Sequence, residues 1–85
     1  MKSTLKILFA DDDLKYSLVL KRFLEREGYE VTYTGNGTMA LKQFPVVKPD
    51  LVLLDINMPG LNGFEVAEKI RGADFQLVLK VLFVY

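Results

Sequence analysis

Four aspartates follow two short apolar segments of this 85-residue chain, and they are the side chains best suited to chemistry. Asp11, Asp12 and Asp13 follow the run LKILFA, while Asp55 follows LVLL and precedes the turn-like stretch INMPG. The chain has no cysteine and no histidine, so it offers no thiolate or imidazole as a ligand, base or nucleophile. Carboxylates bind hard divalent cations such as Mg²⁺, and they act as nucleophiles in phosphoryl transfer.

The run that ends at Asp55 has the pattern of a strand covered on both faces. Uninterrupted apolar residues bounded by turn signals are typical of parallel sheets. Residues 5–10 predict a second short strand, which ends at the aspartate triplet. Ligands of open α/β sheets bind at the carboxyl ends of the strands, where both acidic groups are expected to lie. Taken alone, however, the triplet is more typical of a helix N-terminus, and Asp55 of a strand-ending turn.

Helical and strand patterns alternate along the first half of the chain. A helix is predicted from Leu14, with Asp13 as its N-cap and Gly28 as its stop signal. Polar and apolar residues alternate over 29–34, as in a sheet-edge strand. The predicted buried stripe of the first helix consists of Tyr16, Val19, Leu20, Phe23 and Leu24.

The second half continues this alternation. Thr38 is predicted to cap a short helix that Pro45 ends early, because a proline inside a helix loses a hydrogen bond. Asn62 and Glu65 resemble a capping box for a third helix through Arg71, with Gly72 at its end. Its predicted buried stripe consists of Phe64, Ala67 and Ile70. The apolar ending FQLVLKVLFVY predicts a fourth, central strand.

The composition indicates one domain without a charge bias. Eleven basic and eleven acidic side chains give zero formal net charge, so we expect no direct nucleic-acid binding. The start MKSTLKILFADDD lacks the long apolar segment of a signal peptide. The apolar ending is too short to cross a bilayer as a helix, which takes about 20 residues. A cytoplasmic domain over residues 1–85, without a membrane partner, is expected.

The motifs and their order resemble the receiver domain of bacterial two-component response regulators. The segments that carry the resemblance are KILFADDD, GYEV, GNGTMAL and KPDLVLLDINMPGLNGFEVAEKIR. The match covers residues 5–71, and residues 72–85 form an atypical apolar ending. The resemblance implies an α/β, flavodoxin-like, doubly wound parallel sheet. The sheet is expected to be incomplete, with strand order 2-1-3-4 and about three helices. This order places the first and third strands side by side, so that their acidic ends meet.

The resemblance also implies residue roles. Asp55 matches the phosphoacceptor, and Asp12 and Asp55 match direct Mg²⁺ ligands, with the backbone carbonyl of Asn57 as a third ligand and Asp11 in support. Met58, Pro59 and Gly60 form the turn after the phosphoacceptor. The expected phosphodonor is a sensor histidine kinase, a phosphotransfer protein or a small phosphodonor. Such a domain is a signalling domain rather than an enzyme, and at most it catalyses its own phosphorylation.

The chain departs from the family pattern after residue 71. The family has a fourth strand that ends in Thr or Ser and a fifth strand that ends in Lys. This chain has no Ser or Thr after Thr38, and Lys80 lies inside the predicted fourth strand. We therefore expect a domain truncated after roughly its fourth strand. Such a domain leaves apolar helix surface uncovered and has an exposed strand edge through which it could dimerise.

Three functional hypotheses follow. The first is a phosphoacceptor receiver domain that depends on Asp55 and Mg²⁺. The second is a receiver-like interaction module, or a non-functional fragment, that never carries phosphate. The third is an enzyme of the haloacid-dehalogenase type, which also combines an aspartate nucleophile with Mg²⁺. That family requires an acid two residues after the nucleophile, whereas Asn57 stands two residues after Asp55.

Overall fold

The computed structural model describes residues 4–73 and 80–84, which form seven regular elements. In chain order these are β1 (Lys6–Ala10), α1 (Leu14–Arg26), β2 (Glu30–Thr34), α2 (Gly37–Val47), β3 (Leu51–Asp55), α3 (Gly63–Ala73) and β4 (Lys80–Val84). Of the predicted fourth strand, residues 75–79 and 85 lie outside the described part. None of the helices in the described ranges is long and apolar enough to cross a membrane.

The strands form one parallel sheet in the order β2-β1-β3-β4, which confirms the predicted order and fold class. In the register between β1 and β3, Ala10 pairs with Leu54. Asp11 and Asp55, the residues that follow this pair, therefore lie beside each other at the carboxyl edge. Val84 of β4 pairs with Asp55 at the same edge.

Alternate side chains of the sheet pack into two apolar clusters, one on each face. Leu8, Ala10, Val52 and Leu54 pack on the side of α2 and α3, against buried residues that include Val66. On the other side, Ile7, Phe9 and Val31 pack against Leu20 and Leu24 of α1. Because successive strand residues point to opposite faces, the uninterrupted apolar runs supply both clusters at once.

The predicted buried stripe of α1 is wrong for three of its five members. Tyr16, Val19 and Phe23 are 46%, 69% and 58% exposed, whereas Leu20 and Leu24 pack against the sheet. Among the elements of the described residues, α1 is the one helix on its face of the sheet. It therefore buries only the narrow side that faces β1 and β2, and the flanks of its apolar stripe remain exposed.

Helix α2 begins earlier and ends later than the sequence predicts. Its N-cap is Asn36 rather than Thr38, and the Oδ1 atom of Asn36 accepts a hydrogen bond from the Met39 N–H at 2.8 Å. Pro45 lies inside the helix, which continues to Val47. The proline stands in the last turn, so it removes only one late hydrogen bond. The helix then ends at Lys48, whose φ of 52° is left-handed and whose N–H donates to Phe44 O at 3.0 Å.

The capping box of α3 is confirmed, but the predicted buried stripe is partly wrong. The N–H of Asn62 donates to Glu65 Oε1, and the N–H of Glu65 donates to Asn62 Oδ1, each at 2.9 Å. Ala67 and Ile70 are buried, whereas Phe64 is 54% exposed. The buried positions are 63, 66, 67 and 70, which form the spacing of one helical face. The helix also extends past the predicted end, to Ala73.

Candidate metal centre

Three aspartates converge at the carboxyl edge of the sheet, in the loops after β1 and β3. One carboxylate oxygen from each of Asp11, Asp12 and Asp55 lies within 4.8 Å of the others. The side chains line an open crevice of about 400 Å³, which Asp13, Tyr16 and Asn57 also line. The adjacency of β1 and β3 creates this cluster, because it brings together the ends of two strands that are distant in sequence.

Asp11 is 5% exposed and is held by three hydrogen bonds. Its N–H donates to Thr34 O at 3.2 Å, and its carbonyl accepts from the Tyr33 hydroxyl at 2.6 Å. Its carboxylate oxygen Oδ1 accepts from the Asp13 N–H at 2.9 Å. The end of β2 therefore fixes the backbone of the acidic loop, while the loop itself orients the Asp11 carboxylate.

Asp55 is 7% exposed, and its Oδ1 atom accepts a hydrogen bond from the Asn57 N–H at 3.0 Å. The start of α3 packs closely behind this strand end. A Cβ atom added to Gly63 would lie 2.6 Å from the Asp55 carbonyl oxygen. Only glycine permits this approach without a shift of the backbone. The spacing of residues along the chain does not predict this contact, because it joins the start of α3 to the end of the preceding strand.

The side chain of Asp12 belongs to the carboxylate cluster, whereas that of Asp13 caps α1. Asp12 is exposed and belongs to the three-carboxylate cluster. The Oδ1 atom of Asp13 accepts from the Tyr16 N–H at 3.1 Å, which makes Asp13 the N-cap of α1, as the sequence predicts. Tyr16, which the sequence placed in the core stripe, instead lines the crevice because the first turn of α1 begins there.

The turn after Asp55 lines part of the crevice and packs into the core beside it. Asn57 lines the crevice, and Met58 is buried in the cluster beneath α2 and α3. Pro59 and Gly60 are exposed, and Gly60 adopts a φ of 76°, which favours glycine. The role of the Asn57 carbonyl as a ligand stays a prediction.

Its surroundings in the cluster disfavour the ionisation of Asp11. The pKa of Asp11 is raised, and burial is the largest cause. The hydrogen bond from the Asp13 N–H opposes this shift, whereas the neighbouring Asp55 carboxyl and the charge of Asp12 add to it. A divalent cation would relieve the repulsion, and the all-oxygen donor set suits Mg²⁺. The carboxylates of Asp11, Asp12 and Asp55 are therefore suitable ligands for Mg²⁺.

The Asp11→Asn variant is expected to melt above the wild type at neutral pH without divalent cations. The raised pKa means that the folded protein keeps this proton to a higher pH than the unfolded chain does. Ionisation of Asp11 therefore lowers the free energy of unfolding as the pH rises from the ordinary aspartate pKa, about 4, through the raised value. Asparagine removes the charge and keeps an oxygen for the Asp13 N–H.

Thermal melts in EDTA across this range test the expectation. The two melting temperatures should converge at the acid end, where Asp11 is protonated in both the folded and the unfolded chain. Equal melting temperatures at neutral pH would contradict the raised pKa. Mg²⁺ should stabilise the wild type more than the variant, because the variant has lost one charge of the cluster.

Comparison with known proteins agrees with this architecture. The family model of the response regulator receiver domain matches residues 7–84. The chain belongs to the response regulator receiver domain family. Receiver domains are signalling domains that bind Mg²⁺ at an acidic site and interact with histidine kinases or phosphotransfer proteins.

Two curated relatives illustrate the sequence similarity. The DNA-binding response regulator MtrA of Mycolicibacterium paratuberculosis is 41% identical over 66 residues, which cover 78% of this chain and 29% of that protein. Sporulation initiation phosphotransferase F of Bacillus subtilis is 32% identical over 80 residues, which cover 94% of this chain and 64% of that protein. The chain thus spans less than two thirds of the length of either relative.

One solved structure with the same fold was determined in complex with Mg²⁺-BeF. The response regulator TrrA of Thermotoga maritima, in complex with Mg²⁺-BeF, has a TM-score of 0.84 and 41% identity. The match covers 96% of this chain and 71% of TrrA. TrrA has also been solved in complex with the histidine kinase ThkA; that match has the same TM-score of 0.84 and covers 94% of this chain and 67% of TrrA.

Proposed function

We propose that this chain is a phosphoacceptor receiver domain of a two-component phosphorelay, and that Asp55 accepts the phosphoryl group. The observation that carries the proposal is the convergence of Asp11, Asp12 and Asp55 in one open crevice. Three carboxylates in one place are costly unless a cation joins them, so their proximity favours a metal-dependent function. The identity of 41% with a regulator that binds Mg²⁺-BeF supports this choice.

We assign the nucleophile to Asp55 because Asp55, and not Asp12, matches the phosphoacceptor position of receiver domains. Asp13 is engaged as the N-cap of α1, and the carboxylate of Asp11 is the one whose pKa is raised. Asp55 lies at the end of a central strand, and the Asn57 N–H holds one of its oxygens. That hydrogen bond orients the carboxylate while the side chain still lines the crevice.

The proposed reaction is a direct transfer. A carboxylate oxygen of Asp55 attacks the phosphorus and forms a P–O bond, while the bond from phosphorus to the donor breaks. The donor's leaving atom keeps the electron pair and takes a proton from solvent. Asp12, Asp55 and the Asn57 carbonyl would hold Mg²⁺, with Asp11 in support. The bound ion would neutralise negative charge on the transferring oxygens.

The proposed donor is a sensor histidine kinase or a phosphotransfer protein, in keeping with the complex of TrrA with ThkA. We place the domain in the cytoplasm, where such donors would present their phosphohistidine. Residues 39–85 contain no Ser or Thr, and we propose that this segment supplies no side-chain hydroxyl to the phosphoryl group. Transfer is then expected to be slow, because a hydroxyl that would donate a hydrogen bond to the phosphoryl oxygens is missing from this segment.

Phosphorylation of the full chain tests the proposal. The protein is incubated with Mg²⁺ and acetyl phosphate, and its intact mass is followed over time. Borohydride trapping then maps the acyl phosphate to one aspartate. We expect a single adduct at Asp55 that EDTA prevents. A folded protein that gains no adduct, or gains one at another residue, would overturn the assignment.

The second candidate is a receiver-like module that works without phosphate. It is favoured by the exposed apolar side chains of α1, of which Val19 and Phe23 are the most exposed. An interaction surface of this kind, or pairing through the edge strand β4, could dimerise the chain. A folded dimer that binds no Mg²⁺ and accepts no phosphoryl group would favour this candidate over the first.

A further inference from the structure

We propose that Tyr33 is a positioning residue for the metal centre, acting through the backbone of Asp11. The inference rests on the proposed function, because it concerns the same site. The hydroxyl of Tyr33 donates a hydrogen bond of 2.6 Å to the Asp11 carbonyl oxygen. The bond joins the end of β2 to the acidic loop after β1, so it links the site to a strand that contributes no carboxylate to it.

Packing alone does not require this hydroxyl. The ring of Tyr33 lies on the α1 side of the sheet and contacts Phe9, with ring centroids 5.7 Å apart and planes tilted by 57°. Phe9 and Tyr33 are also partners in the register of β1 and β2. A phenylalanine at position 33 would preserve these contacts. Among the described residues, the hydrogen bond of the phenolic oxygen is the one to Asp11.

The hydrogen bond fixes the peptide unit from which Asp12 projects. The carbonyl of Asp11 and the nitrogen of Asp12 belong to one planar unit, so holding the carbonyl sets the direction in which the chain leaves β1. On the other side of Asp11, its N–H donates to Thr34 O at 3.2 Å. The end of β2 therefore forms hydrogen bonds with two successive peptide units of the acidic loop.

Asp12 depends on this backbone restraint more than its neighbours do. Within residues 4–73, the carboxylates of Asp11 and Asp55 each accept a backbone hydrogen bond, whereas the Asp12 side chain has no hydrogen bond of its own. Asp12 is also exposed. Its carboxylate reaches the cluster because the backbone beneath it points there, and loss of the Tyr33 bond would loosen that direction.

The Tyr33→Phe variant should therefore bind divalent cations about three- to tenfold more weakly than the wild type. This loss is smaller than the roughly 10- to 100-fold loss typical when a direct hydrogen-bond partner of a metal ligand is removed, because Tyr33 acts through the backbone. Mn²⁺ titration, followed by the electron paramagnetic resonance signal of the free ion, measures the affinity, and competition gives the value for Mg²⁺. Tyr29→Phe is the matched control. Tyr29 is exposed, and among the described residues its hydroxyl makes no hydrogen bond.

Melting curves without metal separate positioning from folding. The affinities are compared at a temperature where each variant is fully folded, with sucrose added if Tyr33→Phe melts too low. Amide NMR spectra provide the second readout. Shifts confined to residues near the Asp11 to Asp13 loop indicate positioning, whereas shifts spread over the whole sheet indicate general destabilisation and would overturn the inference.

The outcomes distinguish this inference from the proposed function. If Tyr33→Phe binds Mn²⁺ as tightly as the wild type, or no more weakly than Tyr29→Phe, the inference is wrong and the phosphoacceptor assignment stands. If the folded wild type binds no Mn²⁺ and gains no phosphoryl adduct, the proposed function is wrong and the inference is rejected with it.

Discussion

The Asp55→Asn variant is expected to lose phosphorylation almost completely, with a rate at least about a thousandfold below that of the wild type. An amide oxygen is a poor nucleophile, so the P–O bond to residue 55 no longer forms. The variant should still fold, because the amide oxygen can accept the Asn57 N–H in place of the carboxylate. Its Mn²⁺ affinity should fall as well, since one charge of the cluster is gone.

Asp50→Asn is the control for the change in charge. Asp50 is exposed, and its Oδ2 atom accepts the Lys6 N–H at 2.8 Å, where the backbone enters β1 and β3. That position is at the amino end of the sheet, away from the crevice. The control should accept the phosphoryl group at the wild-type rate. An adduct of equal yield on Asp55→Asn would show that another residue is the acceptor.

The Gly63→Ala variant is expected to lower the free energy of unfolding by about 2 to 3 kcal/mol. The new methyl group would lie 2.6 Å from the Asp55 carbonyl oxygen and 3.0 Å from its carbonyl carbon. Both are backbone atoms of a buried strand, so neither can rotate away as a flexible side chain would. The start of α3 must shift, and the loop that carries Asn57 must shift with it.

Gly72→Ala provides a matched control in the same helix. Apart from its own helix backbone and chain neighbours, no atom of the described residues lies within 4 Å of a Cβ placed on Gly72, and Gly72 is exposed. Alanine there should leave stability unchanged or raise it by up to about 1 kcal/mol, because alanine favours helix. Urea unfolding of both variants measures the difference. Equal stability of Gly63→Ala and the wild type would contradict the close packing behind Asp55.

In Gly63→Ala, we also expect slower phosphorylation under conditions where the variant is fully folded. Displacement of the Asp55 carbonyl changes the direction of the strand end that presents the carboxylate. Small misplacements of reacting groups cost rate even when the groups themselves are intact. A folded variant with wild-type Mn²⁺ affinity and rate would show that the strand end tolerates the shift.

Features that depend on neighbouring residues could be predicted from the sequence. The Asp13 cap of α1 and the capping box of Asn62 and Glu65 are both present, because each involves atoms three residues apart. The apolar runs before Asp11 and Asp55 predicted the buried strands β1 and β3, because a strand pattern also depends on residues that are close in sequence. The resemblance to receiver domains then supplied the order of the strands.

The sides of helices that meet the sheet were harder to predict. Tyr16, Val19 and Phe23 lie on the apolar stripe of α1, yet they are exposed because the sheet contacts only part of that stripe. Phe64 is apolar but exposed, because it does not lie on the face of α3 that packs against β3 through Gly63. Periodicity identifies an apolar face, whereas the width that is buried depends on the neighbours of each helix.

The sequence by itself determined which side chains are available for chemistry and that two acidic groups terminate buried strands. Only the tertiary structure decided that Asp11, Asp12 and Asp55 bring their oxygens within 4.8 Å of one another, that burial among them raises the pKa of Asp11, and that the Tyr33 hydroxyl holds the Asp11 carbonyl. The physical reason is the distance in sequence between the residues that make each contact. Caps and strand patterns arise from contacts a few residues apart, while the crevice exists because parallel pairing places distant strand ends side by side.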